Sequence, residues 1–344
     1  MAQAGELLGE ETRTADTWAT TTLYLLALAL LLALPGSARP RQSSTPGFLP
    51  LDPYKISVRV SSVVLHATVR NHSGASVSGL DKNDFHIYED GVPQPIEYFS
   101  HDDIPVTVGL VLDNSGSMQP NREQVIAASM AFARSSNLQD QMFIVNFNEH
   151  VSLGLPGGTP FTDQSEQLQV ALGRFRADGE TALYDAVALA LGHLKLGNRD
   201  KKVLIVVSDG GDNASKHTLE QILTLAAQSD AIIYSVDIHV EADLDRNPKA
   251  LRRLAAATGG EDFVVESLPE VVPICERIAH DIREQYTLAY SPTNRREDGL
   301  YRVILVKAKA HRHGNLSVVT RAGYYSPLQP QPLAPVAGAP GKLP

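Results

Sequence analysis

The sequence has very little cysteine and lacks any long run of basic residues. Cys275 is the single cysteine among 344 residues, so no disulfide bond can form within the chain. It lies in an apolar pattern over residues 271–278, which favours packing in a core over a reactive thiol. The formal net charge is −9, whereas a phosphate-binding surface needs clustered Lys and Arg. The composition therefore excludes intrachain disulfides and argues against nucleic acid as a partner.

Three catalytic motifs are also absent from the sequence: the GxSxG nucleophile elbow, the HExxH zinc motif and the GxxxxGK[ST] phosphate loop. There is no internal repeat. Hydrophobic residues nevertheless make up 43% of the chain, which is enough for a sizeable core. The length suits roughly two domains. We therefore expect a folded protein without a recognisable enzyme signature.

The N-terminal region contains the one clearly non-globular segment. Leu23–Leu34 is an unbroken apolar run of 12 residues, and Gly36 and Ala38 supply small residues for a cleavage site. The run is shorter than the roughly 20 residues that cross a bilayer, but it fits the core of a signal peptide. The residues before it are acidic, which departs from an ordinary signal. We expect residues 1–38 to be a signal peptide or a membrane anchor and the protein to be exported to the periplasm, the cell surface or the medium.

Two stretches of short, β-type runs flank the middle of the chain. Residues 39–53 are rich in Pro and Ser and predict a linker, and residues 54–103 show strand-like alternation. The β pattern returns over 285–326, and the Pro-rich residues 327–344 predict a tail. Neither β stretch has enough strands for its own core. We therefore expect the two stretches to pair in one antiparallel β-sandwich.

The middle of the chain, residues 104–284, alternates strands with helices. Val106–Leu112 and Val203–Val207 are nearly continuous apolar runs, which is typical of strands buried on both faces. Such alternation predicts an α/β unit with a doubly wound, mostly parallel sheet. Ligands bind such sheets beyond the carboxyl ends of the strands.

Five oxygen-bearing side chains lie where a ligand would then be expected. Asp113, Ser115 and Ser117 follow the first buried strand, Asp209 follows the second, and Thr181 precedes a helix. Carboxylates and hydroxyls are hard ligands that suit Mg²⁺, and Mn²⁺ or Ca²⁺ are alternatives. A lone Asp-x-Ser-x-Ser is common in turns, but three matching loops at one sheet edge predict a divalent cation site. We interpret the nearby Asp212 as a turn residue and Asp185 as a solvated or helix-capping carboxylate.

The motifs Asp113-x-Ser115-x-Ser117, Thr181 within GETALYDA, and Asp209-Gly210 resemble the metal-ion-dependent adhesion site of von Willebrand factor type A (VWA) domains. The resemblance covers roughly residues 104–284. It implies that Ser115, Ser117 and Thr181 coordinate the metal directly or nearly so, and that Asp113 and Asp209 act through water. An acidic side chain of a partner would complete the coordination shell. Residues 80–91 and 286–292 also resemble a bacterial group of exported VWFA-related proteins.

These features support three functions. The first is a non-enzymatic adhesion module that recognises a carboxylate on a partner protein through the metal. The second is a metal-assisted hydrolase, for which Glu180 is the only evident general base. The third is an envelope assembly scaffold that makes its contacts through the β-sandwich. We expect the first, with a possible membrane tether through residues 23–34 and no role for nucleic acid.

Overall fold

The computed structural model describes most of the chain from Ser62 to Leu328. The described ranges are 62–174, 176–238, 246–310 and 316–328. The expected signal or anchor segment (1–38), the linker (39–53) and residues 329–344 of the tail lie outside them. Within the described ranges, no helix is long and apolar enough to cross a membrane.

A six-stranded sheet forms the centre of the α/β unit. Its strands are β5 (Val106–Asp113), β6 (Gln141–Phe147), β7 (Val151–Leu153), β8 (Lys201–Ser208), β9 (Ala231–Ile238) and β10 (Asp262–Val265). The strand order is β10-β9-β8-β5-β6-β7, and only β7 runs antiparallel to its neighbour. Strands β5 and β9 are buried along their whole length. The mostly parallel sheet expected from the apolar runs is therefore confirmed.

Helices flank this sheet. In the described ranges they are α1 (Arg122–Ser135), α2 (Ser165–Gly173), α3 (Leu183–Leu194), α4 (Leu219–Ala227), α5 (Pro248–Thr258) and α6 (Val271–Arg283). Residues 116–121, just before the first helix, form a 3-10 turn that contains Pro120. The regular helix α1 begins directly after this turn, at Arg122. Strand β7 and helix α2 were not predicted.

The side chains of Phe143 and Leu204 pack closely against strand β5 because residue 109 is glycine. A Cβ at Gly109 would overlap the Phe143 ring and lie 2.6 Å from Leu204 Cδ2. Both neighbours are buried, so neither can move away freely. We expect Gly109→Ala to lower the free energy of unfolding by about 1–3 kcal/mol, the usual effect of overpacking a core. Urea denaturation would measure this loss.

A glycine in open space provides the matched control. Gly192 is exposed on helix α3, and a Cβ there would meet nothing within 4 Å. Gly192→Ala should stabilise the protein by up to about 1 kcal/mol, because alanine has the higher helix propensity. If Gly109→Ala, like Gly192→Ala, does not lower the free energy of unfolding, the inference of tight packing around β5 is wrong.

The remaining strands are β1 (Val63–Arg70), β2 (Phe85–Glu89), β3 (Val92–Gln94), β4 (Tyr98–Ser100), β11 (Tyr286–Tyr290), β12 (Tyr301–Ala308), β13 (Ser317–Val319) and β14 (Gly323–Tyr325). They form two antiparallel sheets with the orders β13-β1-β11-β4 and β14-β12-β2-β3. Each sheet combines strands from before and after the α/β unit, since Val63 pairs with Tyr290 and Glu89 with Ile304. The two sheets share one hydrophobic core. The α/β unit is thus inserted in an antiparallel β-sandwich, while the boundaries at 54–103, 104–284 and 285–326 stay a prediction.

A buried ionic network joins β1 of the sandwich to the α/β unit. Arg70 is 6% exposed, and its guanidinium forms ion pairs with Glu261 before β10 and with Asp281 of α6. The Nη2–Oδ2 distance to Asp281 is 2.8 Å. Ser76 donates its hydroxyl to the other oxygen of Asp281, also at 2.8 Å. The side chain of Gln285 adds hydrogen bonds from Nε2 to the hydroxyl oxygens of Thr68 and Tyr234 at 3.2 Å and 3.0 Å.

Candidate metal centre

The carboxylate of Asp113 connects the ends of the two buried central strands. Asp113 ends β5 and is 3% exposed. Its Oδ1 accepts a hydrogen bond from the backbone N–H of Ser115 at 2.9 Å. Its Oδ2 accepts one from the hydroxyl of Ser208, the last residue of β8, at 2.6 Å. The orientation of this side chain is therefore set by both strands.

A row of side-chain oxygens continues from this loop to the next. The hydroxyls of Ser115 and Ser117 lie 3.1 Å apart, and Ser117 Oγ donates to Asp209 Oδ2 at 2.8 Å. The other oxygen of Asp209 accepts from the N–H of Gly211 at 3.0 Å. Four of the five residues selected from the sequence thus lie in one hydrogen-bonded group at the carboxyl edge of the sheet.

Thr181, the fifth selected residue, is attached to the same edge through its backbone. Thr181 is 5% exposed, and its N–H donates to Asn213 Oδ1 at 2.8 Å. Its carbonyl accepts from the N–H groups of Asn213 and Ala214, both at 3.0 Å. In the same loop, the carbonyl of Gly179 accepts from the N–H of Gly116 at 3.1 Å. The Thr181 loop therefore contacts both loops that contribute the other oxygens.

The donor set fits a hard divalent cation. It consists of two carboxylates and three hydroxyls, all oxygen. Burial raises the pKa of Asp113 to about 7; hydrogen bonds from Ser115 and Ser208 oppose this rise, and the neighbouring Asp209 adds to it. A cation beside both carboxylates would favour their charged forms. In the described ranges no group of three or more His, Cys, Asp or Glu side chains could hold a metal.

The two carboxylates interpreted as cap and turn residues bind backbone amides. Asp185 accepts from the N–H groups of Lys216 and His217 at 3.1 Å and 3.0 Å. Asp212 Oδ2 accepts from the N–H of Tyr184, near the start of α3, at 2.9 Å, and from Ser215 Oγ at 2.6 Å. These contacts tie the loop after β8 to α3.

Cys275 is 2% exposed on helix α6, and burial raises the pKa of its thiol to about 12. A thiol with such a pKa is protonated at neutral pH, whereas the reactive form is the thiolate. The environment therefore matches the expected core packing.

Asn148 and Glu149, which the sequence pattern did not single out, also lie at this edge. They form the hairpin turn between β6 and β7. The carbonyl of Asn148 accepts from the N–H of Ala182 at 2.8 Å, and Glu149 Oε2 accepts from the N–H of Glu180 at 3.1 Å. A signal was present, because both residues lie just past the end of a buried strand, as Asp209 does.

Residues 108–211 match the family model of the von Willebrand factor type A domain. This range contains Asp113, Ser115, Ser117, Thr181 and Asp209. Together with the mostly parallel sheet and its flanking helices, the match establishes the class: the chain contains a VWA domain.

Several solved structures are similar to the chain. One is von Willebrand factor type A from Catenulispora acidiphila, with 13% identity and a TM-score of 0.48 over 80% of this chain and 76% of that chain. Another is the conserved hypothetical protein BatB from Bacteroides thetaiotaomicron, with 16% identity and a TM-score of 0.42 over 51% and 98%. A third is proximal thread matrix protein 1 from the mussel byssus with a zinc-occupied MIDAS motif, with 16% identity and a TM-score of 0.46 over 57% and 50%. No match was found among curated proteins.

Proposed function

We propose that this protein is a metal-dependent protein-binding module of the adhesion type. Asp113, Ser115, Ser117, Thr181 and Asp209 would hold Mg²⁺, or Mn²⁺ or Ca²⁺ in its place. The observation that supports this most directly is the hydrogen-bonded row from Asp113 through the two serines to Asp209. A partner protein that presents a carboxylate would complete the coordination. The apolar run Leu23–Leu34 supports export of the protein or a membrane tether.

The charges of these side chains indicate how each would contribute to holding the ion. The hydroxyls of Ser115, Ser117 and Thr181 are neutral, so their direct coordination would leave the ion strongly electrophilic. Asp113 and Asp209 are held by Ser115, Ser117 and Ser208, which fixes where their negative charge lies. A partner's carboxylate is the anionic ligand that such an ion favours. This arrangement suits the binding of a partner protein through its carboxylate.

The hydrolase alternative has less support. Hydrolysis needs a general base near the reacting atoms. Glu180, the candidate from the sequence, is exposed on the loop, and its backbone N–H makes the hydrogen bond to Glu149. We therefore propose no catalytic residue.

Substituting Thr181 tests the proposed function. Thr181→Val keeps the shape and β-branching of the side chain but removes its oxygen. We expect Mg²⁺-dependent capture of a partner from an envelope fraction to fall about 10- to 100-fold, since metal affinity responds to small changes around a site on that scale. The measurement is a pull-down in Mg²⁺ compared with one in EDTA.

Thr224→Val provides the control, because the hydroxyl of Thr224 donates to Glu220 O within α4, away from the loops at the sheet edge. Its capture should equal that of the parent. Adding Asp113→Ala to Thr181→Val should change little further, because both residues would act through the same ion. Undiminished Mg²⁺-dependent capture by Thr181→Val would contradict the proposed site.

A further inference from the structure

Helix α3, which directly follows Thr181, begins without a capping side chain of its own. Its N-cap residue is Ala182, whose side chain has no acceptor. The first backbone N–H groups of a helix have no partners within the helix. Serine, threonine, aspartate or asparagine usually provides one acceptor at this position. The acceptors for α3 must therefore come from elsewhere.

Two other loops supply acceptors to the start of α3 and to the residues that lead into it. Before the helix, Glu180 N–H donates to Glu149 Oε2 at 3.1 Å, Thr181 N–H to Asn213 Oδ1 at 2.8 Å, and Ala182 N–H to Asn148 O at 2.8 Å. In the first turn, Tyr184 N–H donates to Asp212 Oδ2 at 2.9 Å and Asp185 N–H to Ser215 Oγ at 3.1 Å, both in the loop after β8. The residues on either side of Thr181 are held by the β6–β7 hairpin. Thr181 itself is held by the loop after β8.

The hairpin contact depends on Gly179. This residue has a φ of +80°, and a Cβ there would overlap the carboxylate of Glu149. The missing side chain therefore lets Glu149 reach the amide of Glu180. Asn148 adds a second link, because its Nδ2 donates to the carbonyl of Asp178 at 3.2 Å. The hairpin thus contacts the Thr181 loop at three residues, 178, 180 and 182.

We propose that Glu149, at the tip of the β6–β7 hairpin, is a positioning residue for the metal centre. Its carboxylate accepts a charge-assisted hydrogen bond from Glu180 and thereby holds the next residue, Thr181, against the Asp113 loop. Short strand β7 supports this role, because it forms the hairpin that brings Glu149 to the carboxyl edge of the sheet. The inference rests on the proposed function, since it concerns the geometry of that same site.

Two substitutions separate the acceptor from the side chain as a whole. Glu149→Ala removes the acceptor, whereas Glu149→Gln retains an amide oxygen in nearly the same place. With Mn²⁺ alone as the probe, we expect Glu149→Ala to weaken binding about 10- to 100-fold and Glu149→Gln to retain most of the affinity. Glu166→Ala, an exposed glutamate on α2, is the control and should bind as the parent does.

A second readout works without metal. In EDTA, the amide of Glu180 should exchange hydrogen faster in Glu149→Ala than in the parent, and Glu149→Gln should restore much of its protection. If the Glu180 amide exchanges at the same rate in Glu149→Ala as in the parent, the inference is wrong. The inference is also wrong if Glu149→Ala binds Mn²⁺ with the parent's affinity. Neither outcome affects the proposed function. A parent protein that binds no Mn²⁺ overturns the proposed function, and with it the centre that Glu149 would serve.

Discussion

Arg70→Met is expected to lower the free energy of unfolding by about 3–5 kcal/mol, the usual loss when one partner of a buried ion pair is removed. The reason is the position of Asp281, whose side chain is 3% exposed and would lose the nearer of its two guanidinium partners. Arg277 lies 3.6 Å from Asp281 and is half exposed, so it offsets part of this loss and places the effect near the lower end. Urea denaturation of the full chain measures the change.

Arg277→Met is the matched control for this prediction, because it removes a second guanidinium from the same carboxylate. We expect a loss of at most about 1 kcal/mol, as for other partly exposed ion pairs. Adding Asp281→Leu to Arg70→Met should recover part of the lost stability, since the more deeply buried of the two carboxylates that Arg70 pairs with is then removed. A loss in Arg70→Met no larger than that in Arg277→Met would show that the network contributes little.

The parts of the fold that the sequence predicted are those with uniform burial. Val106–Leu112 and Val203–Val207 are apolar at nearly every position because β5 and β8 are central strands covered on both faces. A continuous apolar pattern is visible in the strand's own residues and does not require knowledge of which strands pair with it. Local sequence is therefore enough to locate such strands.

Strand β7 and helix α2 carry weaker signals. Strand β7 has only three residues, Val151–Leu153, and lies half exposed at the edge of the sheet. Helix α2 buries only Leu168, Ala171 and Leu172, and Gln164 before it makes no side-chain cap. Their positions are set by contacts with β6 and with neighbouring helices, which are distant in sequence. A single-sequence pattern does not contain that information.

The sandwich shows a similar limit. Each β stretch is too short for its own core, so the sequence could predict that the two stretches pair. It could not give the register, in which Val63 lies opposite Tyr290 and Ile304 opposite Glu89. Alternating patterns on both strands allow several registers of the same parity, and the choice depends on the assembled core.

The sequence located the candidate metal centre because its residues stand at strand ends, and parallel strands bring those ends to one edge. It did not show that the amides around Thr181 would be held by Glu149 and Asn213. Those contacts arise because two loops approach Thr181, one about thirty residues before it in the sequence and one about thirty residues after it. Only the assembled fold reveals them.

Millimolar Mg²⁺ is expected to stabilise the folded protein relative to EDTA, because the five proposed ligands converge only in the native state. Binding to the native state alone adds RT ln(1 + [L]/Kd), about 2.7 kcal/mol at a hundredfold excess over Kd. Thermal melts of the parent in Mg²⁺ and in EDTA measure this difference. Asp113→Asn removes the carboxylate at one end of the hydrogen-bonded row and should abolish most of this difference.

The informative control for this experiment is Asp212→Asn, which changes a carboxylate only three residues from Asp209. Asp212 binds the N–H of Tyr184 and the hydroxyl of Ser215, so its loss should destabilise the loop after β8 in both conditions. If the metal is held as proposed, Asp212→Asn melts earlier than the parent but keeps most of the Mg²⁺ effect, whereas Asp113→Asn loses that effect. Identical melting of the parent in Mg²⁺ and EDTA, with no metal retained in equilibrium dialysis, would rule out the site, because a cation that binds only the native state must stabilise it.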